Sequence, residues 1–242
     1  MFEIPEVGKS SSTTNTTTES SFKDKVKTFI NTIMDCVSSE AEDTPRFLAP
    51  SSGLTPEDTI AVVQGKYDGD RVAAYGITHY KYADCKPEDL VNVGGHKVHK
   101  KCAEAFSKMQ QDAAKAGCNI YIVSGYRSSS YQVAVFKKKF NDKNYPTESE
   151  MKSRMRFSAP SGFSEHHTGF AIDINSTSQN FANTKEYRWL KEHAAEYGFE
   201  MSFPEDGHQG LGFEPWHWRY VGSVESRKIF NQARKDALAC NE

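Results

Sequence analysis

An aspartate stands between two isoleucines in the run Phe170-Ala171-Ile172-Asp173-Ile174. The alternation reads as a strand with Phe170, Ile172 and Ile174 on one face and Ala171 and Asp173 on the other. Burying that apolar face forces the other face to supply Asp173 with a compensating charge, because an unpaired carboxylate in a protein interior is strongly unfavourable. A buried ion pair meets that demand, and so does a metal ion. Asp173 is therefore expected to point away from the apolar layer, towards a cavity.

The surrounding sequence favours the metal. His166 precedes Asp173 by seven positions with Gly169 between them, so a loop delivers the histidine before the strand begins. A second segment, Glu214-Pro215-Trp216-His217-Trp218-Arg219, offers another histidine and another carboxylate. Pro215 keeps Glu214 out of a helix, which leaves the segment as a turn or an extended entry to a strand. His217 can then reach the ion while Glu214 faces the water beside it. Two histidines and a carboxylate (His166, Asp173 and His217) with Glu214 as a separate base form the inventory of a catalytic site for one Zn2+ ion. Trp216 and Trp218 are expected to pack around it and keep it dry.

Arg127 lies in the turn Ser124-Gly125-Tyr126-Arg127-Ser128, which follows the expected strand 119–123. A guanidinium held there can stabilise a developing oxyanion or grip a carboxylate through two hydrogen bonds. Tyr126, Gln132, Ser158 and Ser164 are candidate substrate contacts, and Arg154, Arg156 and Arg219 are further candidates for reading a terminal carboxylate. His167, next to a ligand, is read as a supporting or substrate residue. His79, His96, His99, His193 and His208 have no metal-type spacing.

The rest of the chain narrows the alternatives. A formal net charge of -2 offers no basic excess for a nucleic-acid backbone. No apolar run approaches the roughly 20 residues that span a bilayer. The five cysteines are odd in number and lack C-x-x-C spacing, which argues against a zinc–thiolate site. Residues 9–21 are a polar low-complexity tract, 22–37 an amphipathic helix expected to dock on the main domain, and 40–58 a connector. The division expected is an extension over 1–55 and a catalytic domain over 56–242. Within the domain, helices are expected over 97–116, over 131–141 capped by Ser130, after the Thr184 cap, and over 223–238. Further strands are expected over 199–203 and 216–221. Helices and strands mixed without a βαβ rhythm give an α+β class: a small antiparallel sheet flanked by helices.

Taken together, Ser-Gly-Tyr-Arg-Ser over 124–128 with Gln132, the run 158–174 and Glu-Pro-Trp-His-Trp-Arg over 214–219 resemble the VanY-type D-alanyl-D-alanine carboxypeptidases. The resemblance extends over roughly 75–222 and implies the α+β zinc fold shared with VanX dipeptidases and the hedgehog signalling domain. It implies His166, Asp173 and His217 as ligands, Glu214 as base and Arg127 as a transition-state or substrate residue. The implied substrate is a peptidoglycan stem peptide or muropeptide losing its terminal D-alanine, of D,D or L,D type. A peptidoglycan endopeptidase is the alternative, followed by a wall-binding domain without catalysis. The substrate implies the cell envelope or periplasm. The first residues, Met1-Phe2-Glu3-Ile4-Pro5-Glu6, have no secretory leader pattern, so the export route is left open.

Overall fold

The computed structural model describes residues 53–205 and 210–239, with side chains through residue 235. The polar tract, the helix expected over 22–37, most of the connector, His208, Cys36 and Cys240 lie outside these residues. Helix α1, Pro56–Gln64, opens the described chain. Thr55 caps it reciprocally with Asp58, and Pro56 occupies the first turn, where its missing N–H costs nothing. The connector expected to run to 58 therefore ends at the Thr55 cap.

Two hairpins follow that the helical reading of the sequence did not include. Strands β1 (Arg71–Ala74) and β2 (Ile77–Tyr80) pair antiparallel, and so do β3 (Leu90–Val93) and β4 (His96–His99). The second turns at Gly94-Gly95, both at positive φ. That glycine pair is a hairpin signal, and it moves Val98 from the expected helix 97–116 into β4. Helix α2 is accordingly Lys100–Lys115. It buries Cys102, Phe106, Met109 and Ala113 at helical spacing.

Strand β5 is Ile122–Ser124. Helix α3, Ser129–Lys137, is capped by Ser128 rather than by Ser130. Helix α4, Glu148–Phe157, has its own capping box at Thr147 and Glu150. After it come β6 (Ala171–Ile174), α5 (Lys185–His193), β7 (Phe199–Met201) and β8 (His217–Tyr220). The expected last helix is broken at Phe230 into α6, Val224–Ile229, and α7, Asn231–Ala239. Among the described residues no helix is long and apolar enough to cross a membrane.

The organising element is a four-stranded antiparallel sheet in the order β5-β6-β8-β7. Cross-strand partners share a face, so its register separates the two faces chemically. Ile172, Trp218 and Met201 stand in one row and meet the core built with α2 and α5. Asp173 beside His217, and Ala171 beside Arg219 and Glu200, form rows on the opposite face. A second apolar core joins α1, the β1–β2 hairpin, α3 and α4 through Val62, Ile77, Phe136 and Met155. The charged sheet face and this second core share the walls of one cavity. Cys85, Cys102 and Cys118 are free thiols, and the latter two are buried.

His79 ties β2 to α4: it is buried, and its Nε2–H donates to the Met155 carbonyl at 2.8 Å. Burial pushes its imidazole from 6.5 down to about 4, against the opposing pull of that bond and of Glu165. The unfolded chain binds this proton near 6.5 while the folded protein resists it, so stability falls as pH drops from about 6.5 to 4, by roughly 3 kcal/mol. His79→Gln keeps an N–H donor and is expected to flatten that part of the profile, read by urea denaturation at pH 7 and pH 4.5.

Candidate active site

The strand pairing that puts Asp173 opposite His217 makes the site. His217 Nδ1 lies 3.0 Å from Asp173 Oδ1, and His166 Nε2 lies 3.4 Å from Asp173 Oδ2. Ligand atoms of His166, Asp173 and His217 all lie within 4.8 Å of one another, and all three residues are buried. His166 arrives on a single 3₁₀ turn, Glu165–Thr168, capped by the Ser164 hydroxyl. Gly169 ends that turn at φ 69°, where an added Cβ would lie 3.0 Å from the His99 backbone nitrogen. The turn therefore stops at once and the chain enters β6 beside its own ligand.

The hydrogen bonds select which nitrogen of each ring is free. His166 Nδ1 is 2.7 Å from the Gly125 carbonyl, which can only accept, so Nδ1 carries the proton and Nε2 turns to the cluster. His217 Nε2 is 3.0 Å from Glu165 Oε2, and this bond leaves Nδ1 for the cluster. Two imidazoles and a carboxylate converging in this way suit zinc, with each ring oriented by an acceptor behind it.

The ionisation states reflect the crowding. Burial pushes Asp173 upward, yet the two histidines hold it well below the usual carboxylate range. His217 is raised to about 10 because hydrogen bonds to Asp173 and Glu165 outweigh the cost of its burial. Burial lowers His166, with Asp173 opposing. Glu214 is pushed up to about 8, chiefly by burial, with Asp173 and Glu165 adding to the effect and His217 and Arg127 opposing it. Its Oε2 is 4.0 Å from His217 Nδ1. A carboxyl raised into the neutral range beside the ligand group has the affinity expected of a general base.

Arg127 lines the same cavity, and burial lowers its guanidinium while Asp173 and Glu214 raise it. Its loop is held from both sides. Tyr126 N–H donates to the Lys97 carbonyl at 2.6 Å, and Arg127 N–H donates to the His166 carbonyl at 3.2 Å. The His167 ring accepts from Gly162 N–H at Nε2 and donates from Nδ1 to the Arg127 carbonyl at 2.6 Å. His167 is thus a fully buried brace between the two loops.

The candidate substrate contacts divide. Ser158 lines the cavity. Gln132 also lines it but is fully buried and committed: its Oε1 accepts from Arg127 Nη1 at 2.8 Å, and its Nε2 donates to the Ala159 carbonyl at 2.6 Å. Ser164 serves as the cap of the ligand turn. Tyr126 is not among the residues that line the cavity. Trp216 does line it, whereas Trp218 faces the opposite core and donates to the Pro215 carbonyl. Arg219, expected as a possible carboxylate reader, is occupied.

What holds Arg219 is the residue the sequence reading passed over. Glu165 Oε1 accepts from Arg219 Nη1 at 2.7 Å, and Oε2 accepts from Ser202 Oγ at 2.5 Å and faces His217 Nε2. Glu165 is buried, and Arg219 together with the His217 and Ser202 hydrogen bonds overcomes the burial penalty, bringing it to about 2. Arg219 Nε also donates to Glu200, which Arg234 reaches as well. A clue was present, since Arg219 follows His217 by two in a strand and must share its buried face.

The family model described as VanY, D-alanyl-D-alanine carboxypeptidase, matches residues 95–223, which contain Arg127, Glu165, His166, Asp173, Glu214, His217 and Arg219. The chain belongs to the VanY family. A D-alanyl-D-alanine carboxypeptidase of Enterococcus faecium is 35% identical over 132 residues, which is 53% of this chain and 39% of that protein. The chain spans about half the length, or less, of the first curated relatives it matches. Among solved structures, a vancomycin-resistance D,D-pentapeptidase VanY in complex with Zn(II) aligns at TM-score 0.51 and 27% identity, covering 64% of this chain and 90% of that one. VanYB in complex with D-alanine-D-alanine aligns at TM-score 0.52 and 27% identity, covering 66% and 91%. The family's α+β fold is the fold found here.

Removing Glu165 leaves Arg219 buried without its main partner and frees the His217 ring. Glu165→Ala is expected to cost about 3–5 kcal/mol in chemical denaturation. Zinc affinity, read by competition with a chromophoric chelator, should fall roughly 10–100-fold.

Proposed function

We propose that the protein is a zinc-dependent carboxypeptidase that removes the C-terminal D-alanine from peptidoglycan stem peptides, working at the cell envelope. The observation that carries this reading is the convergence of His166, Asp173 and His217 with Glu214 and Arg127 on one cavity, in a chain of the VanY family. Its relatives support the substrate, since one is named for this activity and another holds D-alanine-D-alanine.

In this reading His166 Nε2, Asp173 and His217 Nδ1 hold the ion. A zinc ion there supplies Lewis acidity, polarising the scissile carbonyl and acidifying water. Glu214 takes the proton from the attacking water at its carboxylate and returns it to the leaving amine of D-alanine. Arg127, fixed by Gln132 and by the braced loop, faces the oxygen on which charge develops or the substrate's carboxylate. Glu165 and the Gly125 carbonyl keep the two rings in the tautomers that ligation needs.

The test is to incubate zinc-loaded protein, with and without chelator, with stem peptides ending in D-Ala-D-Ala and in a single D-Ala, and to weigh the products. Chelator-sensitive loss of one D-alanine supports the carboxypeptidase, and the preferred peptide decides D,D against L,D. Cleavage inside the stem would instead make it an endopeptidase, and no cleavage by zinc-loaded protein would contradict a catalytic role. Glu214→Gln is expected to lower kcat by about a hundred- to ten-thousand-fold with zinc content unchanged.

A further inference from the structure

The cavity, about 740 Å³, holds more positive charge than the proposed chemistry uses: Arg127, Lys139, Arg154, Arg156 and Arg219 all line it. The fold treats these cations differently. Arg219 is buried and paired with both Glu165 and Glu200. Arg154 is half-buried, yet among the described residues it has no carboxylate within ion-pair distance. Lys139 and Arg156 are exposed, equally without such a partner, and Arg156 lies over the Phe157 ring at 5.7 Å.

Arg154 is also held in place. Its Nε donates to the Phe136 carbonyl at 2.9 Å and its Nη2 to the Val135 carbonyl at 2.6 Å. These are carbonyls of the last turn of α3, where the helix end favours a cation; Val135 also accepts from the Lys138 N–H at 3.3 Å. The side edge of the guanidinium is thereby spent on the backbone, and the plane is fixed. The end edge, made of Nη1 and the second proton of Nη2, has no competing acceptor among the described residues and is open to a bidentate carboxylate. Arg127 and Glu214 act on its charge electrostatically, which puts Arg154 near the reacting groups.

We propose that Arg154 reads a second carboxylate of the substrate, one on the acyl side of the scissile bond. The inference rests on the carboxypeptidase reading. A carboxypeptidase substrate has a single residue beyond the scissile bond, and its carboxylate is the terminus. Any further carboxylate must lie on the other side. Stem peptides supply two sources: the free α-carboxylate of a γ-linked D-glutamate, and the side-chain carboxylate of a diaminopimelate.

The experiment uses the zinc-loaded full chain and the pentapeptide L-Ala-γ-D-Glu-meso-diaminopimelyl-D-Ala-D-Ala, with each internal carboxylate amidated in turn. Amidating the one that Arg154 reads is expected to lower kcat/KM about tenfold or more, mainly through KM. The other amidation should have little effect, which identifies the source. Arg154→Gln should abolish the discrimination while leaving turnover of the sensitive amidated peptide unchanged. Equal loss on all three peptides would mark Arg154 as a helix cap alone and overturn the proposal, as would a wild type indifferent to both amidations. Should Arg154→Gln fail to fold, Arg154→Lys keeps the charge but not the two-pronged edge: its discrimination is expected to shrink, and discrimination equal to wild type would overturn the proposal. Should no peptide be cleaved, the carboxypeptidase reading fails by itself. Calorimetric Kd values of the same peptides on zinc-loaded Glu214→Gln, with and without Arg154→Gln, then decide Arg154: a preference for one free carboxylate that is lost with Arg154 supports it, and equal affinities or a preference that survives overturn it.

Discussion

Asp173 is a carboxylate in the middle of a sheet whose reverse side is solid hydrocarbon, and the surrounding architecture answers to that fact. Ile172 and Ile174 drive β6 into the core, which fixes Asp173 on the opposite face. There it needs positive charge within reach. The antiparallel register of β8 supplies His217, and the turn before β6 supplies His166. The same face then holds a second buried carboxylate, Glu165, which balances Arg219 and fixes the far side of the His217 ring. Without a metal, a doubly protonated His217 that donates Nδ1–H to Asp173 and Nε2–H to Glu165 performs part of the compensation, consistent with its raised affinity. A divalent ion takes over that role by displacing a proton, so metal binding and the stability of this sheet face are linked.

This layering explains why the catalytic candidates come from separate parts of the chain and still meet. The apolar row of Ile172, Trp218 and Met201 sets the register, and the register sets the charged rows. Loops then attach to the sheet through backbone hydrogen bonds rather than through long side chains. Tyr126 binds the Lys97 carbonyl, Arg127 binds the His166 carbonyl, and His167 braces both neighbours. Gly125 permits this approach, since a Cβ there would meet the Lys97 carbonyl. A side chain such as Arg127 can be placed accurately only because its backbone is held this way.

The convergence of His166, Asp173 and His217 was legible in the sequence because its signals are local: a charged residue in an apolar alternation, a glycine between histidine and strand, a proline before a histidine. The β6 strand and the Thr184-capped helix were legible for the same reason, although the α-helix ends at His193 and a 3₁₀ turn, Ala194–Tyr197, carries the chain on to Gly198. The hairpin at Gly94-Gly95 carried a usable signal, but the helical periodicity running on from Val98 masked it. The Glu165–Arg219 pair was harder, since its members lie 54 positions apart and only the register brings them together. Gln132 and Ser164 are recognisable in the sequence as polar groups near the site. Whether such a group meets substrate or holds another residue depends on hydrogen bonds that the sequence does not contain.

The claim on which the rest depends is that the buried charge cluster is a metal centre. The most direct measurement is X-ray absorption at the zinc edge on the metal-loaded protein, paired with anomalous diffraction from its crystals. The account predicts one zinc per chain, ligated by two imidazoles, one from Nε2 of His166 and one from Nδ1 of His217, and by the Asp173 carboxylate. Zinc bound elsewhere, or a protein that excludes zinc while this cluster stays closed by its own ion pairs, would contradict it.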